Sequence, residues 1–346
     1  MGCMLMISAA VFSGGCAMGA ASDNKTVQGI AALEEENYQQ AKALFEDAVR
    51  EGEQQMLAYR GLGISYMGLA QYEKARQAFE AALDCADNRQ PENVQDMELY
   101  LATAQYRLGE YEEAVDTCTT VLENAEKGNA DAYYLRGAGY MHEGLTDEAK
   151  KDFDAAVKME PENYDLYLNI YECYREKNLS GVGGDYLQAA LDIQGEDLEH
   201  YYNRGRIYYY LEDYEEAQKQ LIGPVEAKYE PAMALIGKVY LALEDYEHAQ
   251  AVYSQMQQEF GESAESFGGL ALCAMQKGEY DTALTYISQG LALDDTSGRQ
   301  ELAFQEIIVY EKMLDFETAK EKARAYAEQY PSDEAGQKEW TFLSTR

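Results

Sequence analysis

The chain has few residues that interrupt helices and little positive charge. Five of its 346 residues are proline and one is tryptophan, and 28 lysines and arginines stand against 63 aspartates and glutamates. Few prolines, scarce β-branched runs and plentiful alanine, glutamate and leucine favour helix over sheet. The net charge of −35, with no basic tract, disfavours nucleic acids and anionic lipid surfaces as partners. An all-α protein is the first prediction.

The usual signatures of chemistry are also missing. No apolar run reaches the roughly 20 residues that a helix needs to span a bilayer. The six cysteines form no CxxC pair and lack ligand-like spacing to the three histidines, so neither a zinc site nor a disulfide framework is indicated. No GxSxG, HExxH or dinucleotide-binding motif occurs, and the clustered glutamates are typical of solvated surface. We therefore predict no catalytic residue, no metal and no cofactor.

Four cysteines lie within helical patterns. We predict that they are small buried apolar residues: Cys85, Cys118, Cys173 and Cys273.

The N-terminal segment has a distinct pattern. A short apolar run from Met4 to Phe12 is followed by small residues and then Cys16. This arrangement resembles the secretory leader of bacterial lipoproteins, which implies lipid attachment at Cys16 and an extracytoplasmic, membrane-anchored protein. Two features depart from that pattern: no Lys or Arg precedes Lys25, and Ser13 stands where Leu is usual. The alternative is a cytoplasmic protein whose apolar leader has no function.

A short motif recurs through the rest of the chain: an acidic or amide residue, then Tyr or Phe, two variable residues and Ala. Its copies begin at Asn37, Gln71, Glu110, Asp213, Asp245, Glu279 and Asp315. Ala149 and Gly183 hold the same phase in the gap between the third and fourth copies. The small residue recurs every 32 to 39 residues, a nearly fixed period that indicates about nine structural units.

Further residues keep the same phase. A small residue lies twelve positions before most of these alanines, and aromatic residues lie nine positions before and four after. Spacings of i, i+3 and i+4 place these residues on one face of each of two helices, so each unit is predicted to be a helix-turn-helix hairpin. Residues 178–184, rich in glycine, are predicted to replace the usual turn, and Gly223 and Pro224 to weaken a second helix.

This pattern resembles the tetratricopeptide repeat, most completely from Tyr59 to Ala82 and from Tyr133 to Pro161. The resemblance implies an all-α, right-handed superhelical solenoid of about nine helix-turn-helix repeats plus a C-terminal capping helix. We predict a signal segment over residues 1–16, the solenoid over 17–331 and the capping helix, which carries Trp340, over 332–346. The nine units are predicted to begin near residues 22, 56, 95, 130, 164, 198, 230, 264 and 300.

The same resemblance implies that ligands bind in a concave groove lined by the first helix of each unit. In units three to six the family's inner and bordering positions hold Tyr, Asn and Arg, which suit contacts with aromatic, amide and carboxylate groups. The predicted ligand-binding residues are Tyr100, Tyr106, Arg107, Tyr134, Asn169, Arg175, Tyr202, Asn203, Arg206 and Tyr209, with Tyr210 beside them.

Three hypotheses of function follow. The first is a non-catalytic protein–protein interaction scaffold or adaptor, anchored to the cell envelope, that binds a peptide or partner helix in this groove. The second is an accessory subunit in envelope assembly or secretion that uses its convex face or its ends. The third is an enzyme that acts through the acidic surface, and no catalytic motif in the sequence supports it. The chaperone-tail clamp of some repeat proteins is disfavoured because Ile64 stands where that clamp places Asn.

Overall fold

The structure, a computed structural model, describes residues 24–86, 91–293, 298–331 and 333–345. Cys16 and the predicted signal segment lie outside these residues. The described chain is helical and contains no strand. It forms two compact units that divide between Ala190 and Leu191. We refer to them as the N-terminal unit and the C-terminal unit.

The N-terminal unit consists of five consecutive hairpins. Within each hairpin the two helices pack together, and each first helix also packs on the first helix of the next hairpin. The helices are α1 (Lys25–Glu34), α2 (Tyr38–Glu51), α3 (Gln55–Gly68), α4 (Tyr72–Asp84), α5 (Pro91–Leu108), α6 (Tyr111–Asn124), α7 (Ala130–Glu143), α8 (Thr146–Met159), α9 (Tyr164–Glu176) and α10 (Ser180–Ala190).

The C-terminal unit contains four hairpins of the same kind, followed by a last helix that packs on the preceding one. Its helices are α11 (Leu198–Tyr210), α12 (Tyr214–Glu226), α13 (Glu230–Ala242), α14 (Tyr246–Phe260), α15 (Ala264–Gln276), α16 (Tyr280–Leu291), α17 (Arg299–Lys312), α18 (Phe316–Gln329) and α19 (Glu334–Ser344). We number the hairpins one to nine in chain order.

The recurring sequence motif marks the start of each second helix. Its first residue is the N-cap, and the side chains of Asn37, Asp213, Asp245 and Asp315 each accept a hydrogen bond from the backbone N–H three residues on. The residue before the N-cap is left-handed in all nine hairpins, with φ between 53° and 80°. These turn residues are Glu36, Ala70, Gly109, Gly144, Asn178, Glu212, Glu244, Gly278 and Leu314.

Two backbone hydrogen bonds close each of these turns. In the first hairpin, the Asn37 N–H donates to the carbonyl oxygen of Ala32 at 2.8 Å and the Glu36 N–H to that of Leu33 at 3.0 Å. These two hydrogen bonds satisfy carbonyl groups at the end of the first helix. They form only when the residue before the N-cap has a left-handed backbone conformation. The turn geometry thus holds even where the sequence supplies a residue other than glycine.

Replacing Leu314 with glycine should raise the free energy of unfolding by about 1 kcal/mol, because a side chain in the left-handed region is strained and glycine is not. Leu314 has φ 62° and a side chain that is 73% exposed, so little packing is lost. Urea unfolding would measure the change. The reverse substitution, Gly109→Ala at the equivalent turn, should lower stability by a similar amount. A loss of stability in Leu314→Gly would contradict this explanation.

Part of the core consists of aromatic side chains inserted beside glycines. Phe45 is fully buried between α1 and α3, where a Cβ at Gly29 would lie 2.8 Å from its ring and one at Gly61 would lie 2.2 Å from it. The same arrangement recurs at Phe79, Phe153 and Tyr253, where small residues of the periodic pattern create space for an aromatic residue of the second helix.

Two predictions about local structure are wrong. The glycine-rich segment does not replace the turn of hairpin five: Asn178 forms that turn, and α10 begins at Ser180. Gly183 lies within α10. Because it has no side chain, α10 can approach α9 closely: a Cβ at Gly183 would lie 2.9 Å from the Cβ of Tyr174. Gly223 and Pro224 lie within α12, which ends two residues later at Glu226, and the weakening expected there stays a prediction. Cys85 is exposed, whereas the other three cysteines of the described chain are buried, as predicted.

Candidate ligand-binding surfaces

In the N-terminal unit, α5 packs on α7 and α7 on α9, which brings six of the predicted ligand-binding residues onto three neighbouring helices. They differ in accessibility. Tyr100, Tyr106 and Tyr134 are buried, at 7%, 8% and 2% exposure, and Arg175 is exposed. Arg107 and Asn169 are half-buried. The accessible polar groups of this surface are therefore amides and guanidinium groups more than tyrosines.

Tyr100 packs inside the unit. Its ring stacks on Phe79 with centroids 5.3 Å apart, and the Arg60 guanidinium lies 5.7 Å from its centroid. Arg60 in turn donates from Nε to Asp96 Oδ2 at 2.6 Å, an ion pair between α3 and α5. Burial and the nearby Asp96 carboxylate raise the pKa of Tyr100. Arg60 is thus engaged between hairpins two and three.

Tyr106 belongs to a cluster centred on His142. The Tyr106 hydroxyl lies 3.0 Å from His142 Nε2, and Lys177 Nζ lies 3.3 Å from His142 Nδ1. The Tyr111 ring stacks on the imidazole with centroids 4.0 Å apart. Because the lysine can only donate, Nδ1 accepts and Nε2–H donates to Tyr106. The neutral imidazole joins hairpins three, four and five, a role that the sequence did not indicate.

The pKa of His142 should be close to 4, because burial and then the Lys177 charge lower it from 6.5. The unfolded chain takes up this proton near pH 6.5 and the folded chain only near pH 4. The contribution of His142 to stability is thus fully present above the unfolded pKa and is lost as pH falls through that window. NMR titration of the imidazole would check this, and a midpoint near 6.5 would contradict it. His142→Gln should remove this component of the pH dependence.

Tyr134 is also a packing residue. Its hydroxyl lies 3.7 Å from the buried thiol of Cys173, which links α7 to α9. Its ring lies 6.0 Å from that of Phe153. Any ligand on this surface would contact the side chains around Tyr134 rather than its ring.

Arg175 and its neighbours form the accessible part of α9. Arg175 donates from Nε and NH2 to Glu172 Oε2 at 2.9 and 2.5 Å, and its side chain is 50% exposed.

Two carboxylates near this surface have raised pKa values. Burial, followed by the Glu172 charge, raises the pKa of Glu176. On α7, burial and Glu160 raise the pKa of Asp131. Sequence reasoning missed these carboxylates because it assigned acidic residues to the solvated surface.

In the C-terminal unit, the predicted residues lie together on α11. Tyr202, Arg206 and Tyr209 follow one another at i, i+4 and i+7 and so share one face of the helix. The Arg206 guanidinium lies 5.6 Å from the Tyr202 centroid and donates to Asn203 Oδ1 at 2.8 Å. Asn203 is buried, whereas the other three residues and Tyr210 are half-buried. Asn203 therefore positions Arg206, and the two tyrosines flank it.

Lys238 on α13 extends this surface, although sequence reasoning did not select it. Its Nζ lies 3.0 Å from Glu265 Oε1 on α15. Burial opposes the lysine charge, but Glu265 outweighs it and the pKa of Lys238 is raised. Arg206 and Lys238 place two cations on adjacent first helices of an otherwise acidic chain.

The described residues contain no group of three or more His, Cys, Asp or Glu side chains placed to hold a metal ion. Within the same residues, no helix has the length and apolar character needed to cross a membrane.

This chain is similar to parts of two known proteins. A 140-residue stretch is 25% identical to the mitochondrial import receptor subunit TOM70 of Homo sapiens, and a 64-residue stretch is 33% identical to the peptidyl-prolyl cis-trans isomerase PASTICCINO1 of Arabidopsis thaliana. These alignments cover 39% and 18% of this chain and only 23% and 10% of the relatives' own length.

This chain is also similar to solved structures, at low identity. A tetratricopeptide repeat protein from Parabacteroides merdae is 13% identical with a TM-score of 0.48, over 77% of this chain and 98% of its own. YrrB, described as a protein of the same repeat with an unusual peptide-binding site, is 23% identical with a TM-score of 0.39, over 51% of this chain and 88% of its own.

The family itself is identified by the repeats. Tetratricopeptide repeat models match residues 26–90, 96–127, 130–163, 198–222 and 234–297, which together make up more than half of the chain. The helix-turn-helix packing of both units agrees with these matches. The chain belongs to the tetratricopeptide repeat family.

Proposed function

We propose that this protein is a non-catalytic interaction scaffold that binds an extended peptide or a partner helix on the first helices of its hairpins. Tetratricopeptide repeat proteins are protein-interaction scaffolds, and the finer assignment is supported above all by the face of α11. There, Arg206 lies between Tyr202 and Tyr209 and is held by Asn203 at 2.8 Å. Rigid aromatic rings with a positioned guanidinium are typical of protein-binding surfaces.

The chemistry of this face suits a peptide carrying a carboxylate. A guanidinium can donate two parallel hydrogen bonds to a carboxylate, and the flanking rings offer apolar area with little loss of side-chain entropy. Lys238 adds a second positive charge on the next first helix, where Glu265 already pairs with it at 3.0 Å. In the N-terminal unit, Arg107, Asn169 and Arg175 provide a separate polar surface, which we propose as a second contact region.

Crosslinking in cells tests the α11 surface. A photo-reactive amino acid at Tyr209 should capture a defined partner, and Arg206→Ala should reduce the yield at least fivefold, a loss of about 1 kcal/mol. Arg324→Ala, which removes an exposed arginine of α18, is the matched control and should leave the yield unchanged. Equal capture from Lys219, on the second helix of the same hairpin, would instead favour the accessory-subunit hypothesis, in which the convex face or the ends make contact.

Anchoring to the cell envelope is a separate proposal, supported by the small residues before Cys16 and the apolar run that precedes them. Metabolic labelling with a fatty-acid analogue should label the wild-type protein and not Cys16→Ala. Cys85→Ala is the control, since Cys85 is exposed and lies in the folded region. Labelling that is unchanged in Cys16→Ala would exclude the anchor and favour the cytoplasmic alternative.

A further inference from the structure

Two adjacent hairpins break the rule that the second helix begins at a polar N-cap. Seven hairpins have Asn, Gln, Asp or Glu there, and four of these residues cap their helix. Hairpins four and five have Leu145 and Leu179 instead, and a leucine cannot satisfy the N–H groups of a helix end. The leucines therefore leave the starts of two second helices without a side-chain cap, which costs stability.

Both leucines are exposed together with a third apolar residue. Leu145 is 43% exposed, Leu179 37% and Val182 41%. Gly181 and Gly184, in the same turn as Val182, have open space where a Cβ would lie. The first turn of α10 thus exposes apolar side chains and glycine backbone to solvent.

The two leucines lie on neighbouring helices. Farther along these helices, the Tyr186 hydroxyl of α10 donates to Asp154 Oδ1 of α8 at 2.7 Å, and Lys150 Nζ of α8 lies 5.8 Å from the Tyr186 ring. These contacts link α8 to α10. Leu145, Leu179 and Val182, at the starts of the two helices, therefore share the turn edge of the N-terminal unit, and we refer to them as the apolar patch. Adjacent exposed apolar residues of this kind are typical of an interaction surface.

An acidic cleft adjoins this patch. It has a volume of about 440 Å³ and is lined by Gly109, Tyr111 and four glutamates, Glu110, Glu112, Glu113 and Glu143. Glu143 ends α7 and is separated from Leu145 only by the turn residue Gly144. Glu110 is paired with Arg76 at 3.6 Å, and the other three glutamates are exposed.

We propose that this turn edge, formed by Leu145, Leu179, Val182 and the adjoining glutamates, docks a basic amphipathic helix of another protein. The partner's apolar residues would cover the leucines and Val182, and its Lys or Arg side chains would enter the acidic cleft. A second copy of this chain is disfavoured as the occupant, because its net charge of −35 would repel an equally acidic edge. The proposal is independent of the surface on α11.

The probe is a synthetic helical peptide with leucines on one face and lysines on the other, titrated at physiological salt. Leu145→Asp with Leu179→Asp should weaken its binding at least tenfold. The same double variant should unfold at an equal or higher temperature than wild type, because aspartate can cap α8 and α10. Since the substitutions add negative charge, unspecific attraction of the lysines would tighten binding. Unchanged or tighter binding would therefore overturn the proposal.

Three controls complete the test. Leu314→Asp adds charge at an exposed turn leucine of the C-terminal unit and should leave binding unchanged; a matching loss there would refute the site. Glu112→Gln with Glu113→Gln and Glu143→Gln should weaken binding and reduce its salt dependence. Vesicles of neutral lipid should not bind, and vesicle binding that disappears in the leucine variant would replace the protein partner with a membrane.

Discussion

Gly269→Ala should lower the free energy of unfolding of the C-terminal unit by about 3 kcal/mol, since overpacking of a tight core costs 1–3 kcal/mol and here no relief is available. A Cβ at Gly269 would lie 2.3 Å from Tyr253 Cζ. The ring cannot retreat, because on its other side the Cβ position of Gly237 is only 2.5 Å from the same atom. Tyr253 is 1% exposed, so the strain would be borne by the interface of α13, α14 and α15.

Urea unfolding followed by circular dichroism would measure this effect. Gly184→Ala is the matched control, because Gly184 lies within α10 and has open space at its Cβ position. It should stabilise the N-terminal unit by up to about 1 kcal/mol through helix propensity alone. Gly269→Ala combined with Tyr253→Leu should recover part of the loss. If the single Gly269 variant is as stable as wild type, the ring is not confined as described.

Arg136→Ala should lower stability by about 3 kcal/mol, because it leaves a buried carboxylate without its partner. Arg136 donates from Nε and NH2 to the two oxygens of Asp152 at 2.7 and 2.9 Å. The Asp152 side chain is only 8% exposed. The guanidinium also donates to Thr119 at 3.2 Å and so joins hairpin four to hairpin three.

The exposed pair of Lys150 and Asp154 on α8 provides the control. Their side chains are 54% and 52% exposed, and Lys150→Ala should change stability by less than about 0.5 kcal/mol. Arg136→Met with Asp152→Leu should restore most of the stability, because an apolar pair carries no desolvation cost. A loss in the double variant as large as in Arg136→Ala would show that the ion pair is not the source of the effect.

The repeat pattern predicted the hairpins well because its spacing reflects backbone geometry. The acidic residue before Tyr246, for example, is the N-cap of α14 and accepts from the His248 N–H. The pattern failed where packing overrides local preference. Glycine disfavours helix in isolation, yet Gly183 is helical because α10 packs closely against Tyr174. Likewise, Cys85 falls in a helical pattern but lies at the helix end, where it is exposed.

The candidate surfaces were predictable by position and not by accessibility. Spacing correctly assigned Tyr134 and Tyr202 to first helices, but Tyr134 is 2% exposed and contacts Cys173, whereas Tyr202 is half-buried under Arg206. The identity of a residue does not say which neighbour will cover it. The role of His142 could not be predicted for the same reason, since its partners Tyr106 and Lys177 lie 36 and 35 residues away.

By itself, the sequence determined the all-α class, the repeat period and the polar N-cap that begins most second helices, because these depend on interactions within a few residues. Only the tertiary structure decided which tyrosines are buried, which carboxylates have raised pKa values and that Leu145 and Leu179 are exposed. Those properties depend on contacts between consecutive hairpins, roughly one repeat apart in sequence. The scarcity of proline thus predicted the helices and the scarcity of positive charge disfavoured nucleic-acid partners, while packing between hairpins determined the surfaces available for binding.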